Sequence, residues 1–200
     1  MKISFKFPRE KSLIPWLKAR KQSQYSYPEH KATLDTEFPK GYNHDRNICQ
    51  LGIGEKAFEA AKEAINQWVM FPKPWTHIYP AQPFVQDKEV VVLFRLFGLW
   101  WFNSSRIIYT INEPNRYGFA YGTLTQHVEK GEELFLVEKD AEGKVWYRLE
   151  AFSQPRAWYV KLFKPLARHH QKRFGKQSKA AMQAFVANYL KQQELTNTIN

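Results

Sequence analysis

Residues 89–152 read EVVVLFRLFGLWWFNSSRIIYTINEPNRYGFAYGTLTQHVEKGEELFLVEKDAEGKVWYRLEAF, and their punctuation decides the fold. Apolar and alternating runs are divided by turn chemistry at Glu113-Pro114-Asn115, Glu129-Lys130-Gly131 and Asp140-Ala141-Glu142-Gly143. The pattern predicts strands at 89–97, 100–112, 117–125, 132–139 and 144–152. Parallel strands need crossovers of a dozen residues or more, and these connections are far shorter. The stretch is a series of antiparallel hairpins.

Upstream, 75–79 reads as one more strand. Before it, Phe58, Ala61, Ile65 and Trp68 recur at spacings of three and four, one face of an amphipathic helix over 55–68 that Pro72 and Pro74 end. A short strand is expected at 46–51. Residues 1–40, with Pro8, Pro15, Pro28 and Pro39 and no sustained period, read as an extended arm. Downstream, 157 to about 190 reads as a long helix, kinked or split at Pro165 and Gly175. The order is strand, helix, about six antiparallel strands and a long helix. That is an α+β fold in which the last helix must cover the apolar face of the sheet. A curved sheet of six or seven strands wrapped round such a helix leaves a cavity, a common ligand site.

Composition narrows the function classes. The chain has 200 residues, 44% apolar and 16% aromatic, which excludes disorder as its main state. One cysteine, Cys49, excludes a disulfide framework and a multi-cysteine metal site. The net charge of +11 is uneven. Residues 1–24 carry seven basic groups and one acid, 25–150 carry 14 and 17, and 151–193 carry nine and none. No secretory core interrupts the basic start, and the most apolar run, residues 90–102, falls short of the roughly 20 residues a membrane span needs. A soluble cytoplasmic protein is expected.

Few motifs carry chemistry. Gly52-Ile53-Gly54-Glu55-Lys56-Ala57 matches a dinucleotide fingerprint in letters, but it leads into prolines and hairpins instead of a parallel unit, so a tight strand-to-helix turn is the better reading. Histidines 30, 44, 77, 127, 169 and 170 have no metal-ligand spacing, and Cys49 has no base beside it. Glu132 and Glu133 are consecutive, so a strand sends them to opposite faces and they cannot pair as acid and base; they are expected to open a strand with a solvated face. Arg95, Arg106 and Arg148 sit in apolar strands and are expected to face outward, since an inward one needs an acid or an anionic ligand. The sequence thus assigns no catalytic residue, no cofactor and no metal. The last helix bears Lys161, Lys164, Arg168, Lys172, Lys176 and Lys179 along one stripe, with Arg173 beside it. The stripe would meet acids of the body or, as an alternative function, dock on a polyanion, either nucleic acid or an anionic membrane.

Several strings together resemble uncharacterised protein family 0548. They are Tyr25-Ser26-Tyr27-Pro28-Glu29, Ala32-Thr33, Pro39-Lys40-Gly41-Tyr42, the Gly52–Glu55 turn, Trp68, Glu113-Pro114, Gly118-Phe119-Ala120-Tyr121-Gly122-Thr123-Leu124, His127, Gly131-Glu132-Glu133 and Ala151-Phe152-Ser153. The resemblance covers about residues 25–190. Two departures stand out: Lys31 where a glycine is usual, and Thr125-Gln126 where Pro-Gly usually precedes His127. It implies a helix-grip fold of the START and pollen-allergen type, which holds hydrophobic ligands between sheet and helix. On this basis residues 1–24 are a basic extension, 25–192 one helix-grip domain and 193–200 a tail. The expected function is binding of a hydrophobic or amphipathic small molecule, with Tyr121, Trp146 and Arg148 near the ligand and His127 at the rim.

Overall fold

Hairpins form where the turn residues place them. The computed structural model describes residues 2–80, 84–156 and 164–199. Its strands are β1 (Lys2–Ser4), β2 (Asn43–Ile53), β3 (Thr76–Tyr79), β4 (Glu89–Leu96), β5 (Leu99–Glu113), β6 (Arg116–Thr123), β7 (Glu129–Lys139) and β8 (Lys144–Pro155). They make one antiparallel sheet in the order β2-β8-β7-β6-β5-β4-β3, and β1 adds to β5 beyond the end of β6. Its helices are α1 (Glu10–Lys18), α2 (Glu55–Asn66) and α3 (Lys164–Ile199). Register shifts at Gln50/Gly52 and Ile107/Tyr109 are bulges, devices that increase local twist and bend a sheet. Gly54, at φ +84°, caps α2, and a Cβ on Gly52 would lie 2.8 Å from that of Ala57. The Gly52–Gly54 string is a turn, since β2 pairs antiparallel with β8 and no parallel unit follows.

Helices α2 and α3 lie on one face of the sheet. Phe58, Ala61 and Ile65 of α2 and Met182 and Val186 of α3 pack with Phe119, Phe135, Val137 and Tyr147. This fills one end of that face. Beneath the first half of α3 the face is not filled, and a cavity remains. Among the described residues no helix is long and apolar enough to cross a membrane.

The first forty residues depart from the extended-arm expectation. Leu13 and Trp16 of α1 cover Val91, Leu93, Trp100 and Phe102 on the opposite face of β4 and β5. Tyr27, Ala32 and Phe38 cover Ile108, Tyr109, Leu134, Leu136 and Phe152. Both faces of the sheet are therefore apolar, which explains why β4 reads EVVVLFRL, with Val90 and Val92 on one side and Val91 and Leu93 on the other. The short periods of the arm hid this: a nine-residue helix with Pro15 inside it shows only two buried positions. The last helix is likewise continuous over its described length, so the expected split is corrected. Pro165 sits in its first turn, where a missing N–H leaves no bond unmade. Gly175 lets α3 approach β2 closely; a Cβ there would lie 2.7 Å from the Asn47 amide. The expected helix start at residue 157 and the stripe member Lys161 lie outside the described residues.

Candidate functional site

The cavity has a volume of about 360 Å³ and lies between the helix-facing surface of the sheet and the first half of α3. Strand alternation decides which side chains reach it. In β8, Leu149, Ala151 and Ser153 face it; in β7, Gly131 and Glu133; in β4, Phe94 and Leu96. Trp75, Phe94, Leu96, Trp101, Leu166 and Phe174 give it an aromatic and aliphatic side. Gly131, at φ +143°, has Phe152 O where a Cβ would stand, 1.9 Å away, so only glycine fits this wall.

The other side is polar and is held together by α3. Arg168 makes a two-pronged ion pair with Asp45 of β2. The Gln171 amide donates to Glu129 Oε1 at 2.8 Å and to Ser153 Oγ at 3.1 Å. The Tyr121 hydroxyl donates to Glu133 Oε2. His127 Nδ1 lies 3.0 Å from the Glu129 backbone nitrogen and 3.1 Å from the Glu129 carbonyl oxygen, so one residue's backbone fixes the ring. Burial dominates the electrostatics. It pushes the Glu133 carboxyl up to about 8, reinforced by the negative charges of Asp45 and Glu129 and opposed by the Tyr121 hydrogen bond. It also raises Glu129, against the Gln171 hydrogen bond. It pushes His127 down to about 4, so the imidazole is neutral near pH 7. The Tyr121 phenol is driven well up by burial and by Glu133. Among the described residues, Asn103 Oδ1, in a residue only 2% exposed, and His170 Nδ1 are buried polar atoms without a partner, and both residues line the cavity.

The structure brings Tyr121 and His127 to the cavity and separates Trp146 and Arg148 from it. Since Val145, Tyr147 and Leu149 point to the helix side, Trp146 and Arg148 point the other way. There the Trp146 indole donates to Asp140 at 2.8 Å, and Arg148 pairs with Glu138 and with Glu150, which is buried. Arg148 thus faces outward as expected of it in isolation, and its assignment to the ligand is corrected. Arg106 also faces away from the cavity, pairing with Glu89 at 3.0 Å beside Tyr25, and Arg95 is exposed.

Glu132 and Glu133 do point to opposite faces, but neither face is solvated. Glu132 is buried beneath residues 27–33 and Glu133 lies in the cavity. Sequence reasoning also missed Asp45, Glu129, Asn103 and Gln171. A signal existed for Glu133, which shares strand parity with Phe135 and Val137. Phe94, Phe97, Trp101 and Tyr121 line the cavity, while Phe119 packs in the core beneath α2. Cys49 is partly buried and its thiol is pushed up to about 11, mainly by burial, so it is a poor nucleophile at neutral pH. Among the described residues no group of three or more His, Cys, Asp or Glu side chains is placed to hold a metal ion.

Comparison with known proteins agrees with this architecture. The chain is 37% identical over 160 residues to a UPF0548 protein of Deinococcus radiodurans, covering 74% of this chain and 80% of that one. It is 30% identical over 161 residues to a UPF0548 protein of Arabidopsis thaliana, covering 76% and 78%. Its fold resembles the crystal structure of a hypothetical protein of Helicobacter pylori, with a TM-score of 0.53 at 10% identity, covering 82% of this chain and 96% of that one. Residues 26–181 match the family model "Domain of unknown function (DUF1990)". That span takes in the whole sheet from β2 to β8, α2 and the cavity-lining half of α3, and the chain belongs to this family.

Proposed function

We propose that the protein binds a hydrophobic or amphipathic small molecule in the cavity between the sheet and α3. The supporting observation is the cavity itself: about 360 Å³, with an aromatic side and a few convergent polar groups, within the size range of small-molecule sites. The test is saturable binding of a neutral apolar fluorophore, N-phenyl-1-naphthylamine. Ala151 faces the cavity, and Ala151→Phe, which fills it, is expected to weaken binding at least about 10-fold while far-ultraviolet circular dichroism stays native. Equal binding by the two proteins, or no saturable binding by the wild type, would reject the reading.

A second reading, docking on a polyanion, is supported by Lys172, Arg173 and Lys176, which stay exposed along α3 while Arg168 turns in to Asp45. It predicts nucleic-acid or anionic-vesicle binding that falls steeply with salt and disappears on reversing those three charges. Salt-independent binding, or none at 50 mM salt, would exclude it.

A further inference from the structure

The polar atoms of the cavity are not balanced. Its donors are largely committed: Arg168 to Asp45, the Gln171 amide to Glu129 and Ser153, the Tyr121 hydroxyl to Glu133, and Asn103 Nδ2 to Trp101 O at 3.5 Å. Among the described residues, two groups of the wall can take more hydrogen bonds than they have, the Asn103 amide oxygen and the Glu133 carboxyl. Asn103 Oδ1 is buried without a partner on the cavity wall, and a lone buried carbonyl oxygen seeks a donor. Glu133 has only a phenol for company. The other charges that reach it, Glu129 from β7 and Asp45 from β2, are negative, while Tyr147 of β8 is a buried neutral phenol. From α3, Arg168 is committed to Asp45, and His170, whose pKa burial lowers, faces Trp75.

We propose that the cavity selects an amphipathic amine, with the ammonium group against Glu133 and the apolar body along Trp75, Phe94 and Phe174. This inference rests on the ligand-binding reading of the same cavity and adds the class of ligand. An ammonium brings positive charge to a wall where Asp45, Glu129 and Glu133 gather, and it lets Glu133 ionise, whereas a carboxylate or phosphate head would meet Asp45 and Glu129 with the Arg168 guanidinium already engaged. The overall charge of +11 suggests the opposite preference; the local charge of the cavity decides. Binding also moves a proton. Glu133 holds one near pH 7 in the empty cavity, and an ammonium beside it favours the carboxylate, so the proton leaves to solvent while the amine stays protonated.

The test compares three ligands with one tail, namely decylamine, decanol and decanoate, by titration calorimetry at pH 7 and by displacement of N-phenyl-1-naphthylamine. Decylamine is expected to bind at least about 10-fold tighter than decanoate, with decanol between them. Its titration in two buffers of different ionisation heat is expected to show proton release. Glu133→Gln removes that release and most of the amine's advantage while leaving decanol binding in place. The head-group series needs no variant, so it stands even where a substitution disturbs folding. Decanoate binding as tightly as decylamine, an amine advantage unchanged in Glu133→Gln, or decylamine failing to displace a bound fluorophore would overturn the inference and leave the cavity reading intact. A fluorophore that never binds would overturn both.

Discussion

Glu132→Ala is expected to lose about 3 to 5 kcal/mol of folding stability, a large part of the 5–15 kcal/mol typical of a domain. The carboxylate is 3% exposed and accepts four hydrogen bonds from a single neighbouring segment. The Tyr27 hydroxyl donates at 2.8 Å, the Thr33 N–H at 3.1 Å and the Thr33 hydroxyl at 2.9 Å, and the Lys31 N–H adds the fourth. Alanine leaves all four donors without this acceptor beneath a packed segment, and each unmet buried donor costs about 1 to 3 kcal/mol before relaxation. The same carboxylate holds Lys31 at φ +67°, a left-handed conformation that glycine takes freely and lysine does not. Gly122 belongs to the arrangement, since a Cβ there would lie 2.1 Å from the Tyr27 hydroxyl. Urea denaturation checks the prediction. Glu132→Gln should fall between wild type and Glu132→Ala, because its amide nitrogen meets a donor where an acceptor is needed. A loss below about 1 kcal/mol, the value of an exposed pair, would show that Glu132 is not the tie between residues 27–33 and the sheet.

The position of Lys31 shows how far the sequence could be followed. Its φ of +67° is one that glycine adopts freely, and nothing in the local sequence announces it. The hairpins, α2 and the concluding helix were legible because period and turn residues are local signals. The role of residues 10–38 was not. Leu13, Trp16, Tyr27 and Phe38 gain meaning only against the far side of β4–β8, which no period in the arm discloses. The site was half legible for a related reason. Alternation determines which residues share a face, but not which face the helix covers. Tyr121 reaches the cavity wall, whereas Trp146 and Arg148 lie at odd steps from Leu149 and so on the opposite face of the sheet. Asp45, Glu129 and Gln171 come from three separate elements, so only the closed fold makes them neighbours.

Thermal stability is expected to fall between pH 6 and pH 8 by an amount that Glu133→Gln removes. The carboxyl titrates near 8 in the fold against an ordinary value of 4.5, because burial beside Asp45 and Glu129 penalises its charge. A group with a raised folded pKa contributes stability that is complete below about 4.5 and is lost as pH rises through about 8. Between pH 6 and pH 8 the loss amounts to roughly 2 kcal/mol, or about 4 to 8 °C in Tm for a chain of this size. Glu129, also raised by burial, acts in the same direction. His127 acts in the opposite sense at the acid end. Its folded pKa of about 4 lies below the usual 6.5, so its contribution is present above 6.5 and is lost as pH falls toward 4. The wild type should therefore be most stable in mildly acidic solution. Glu133→Gln keeps an acceptor for the Tyr121 hydroxyl and has no proton to lose, so its Tm should hold more nearly level from pH 6 to pH 8. Parallel Tm curves for the two proteins would mean that Glu133 is already ionised in the fold. A saturating amine should flatten the wild-type curve in the same range, because the bound ammonium lets Glu133 ionise without penalty; decanol should leave the slope unchanged.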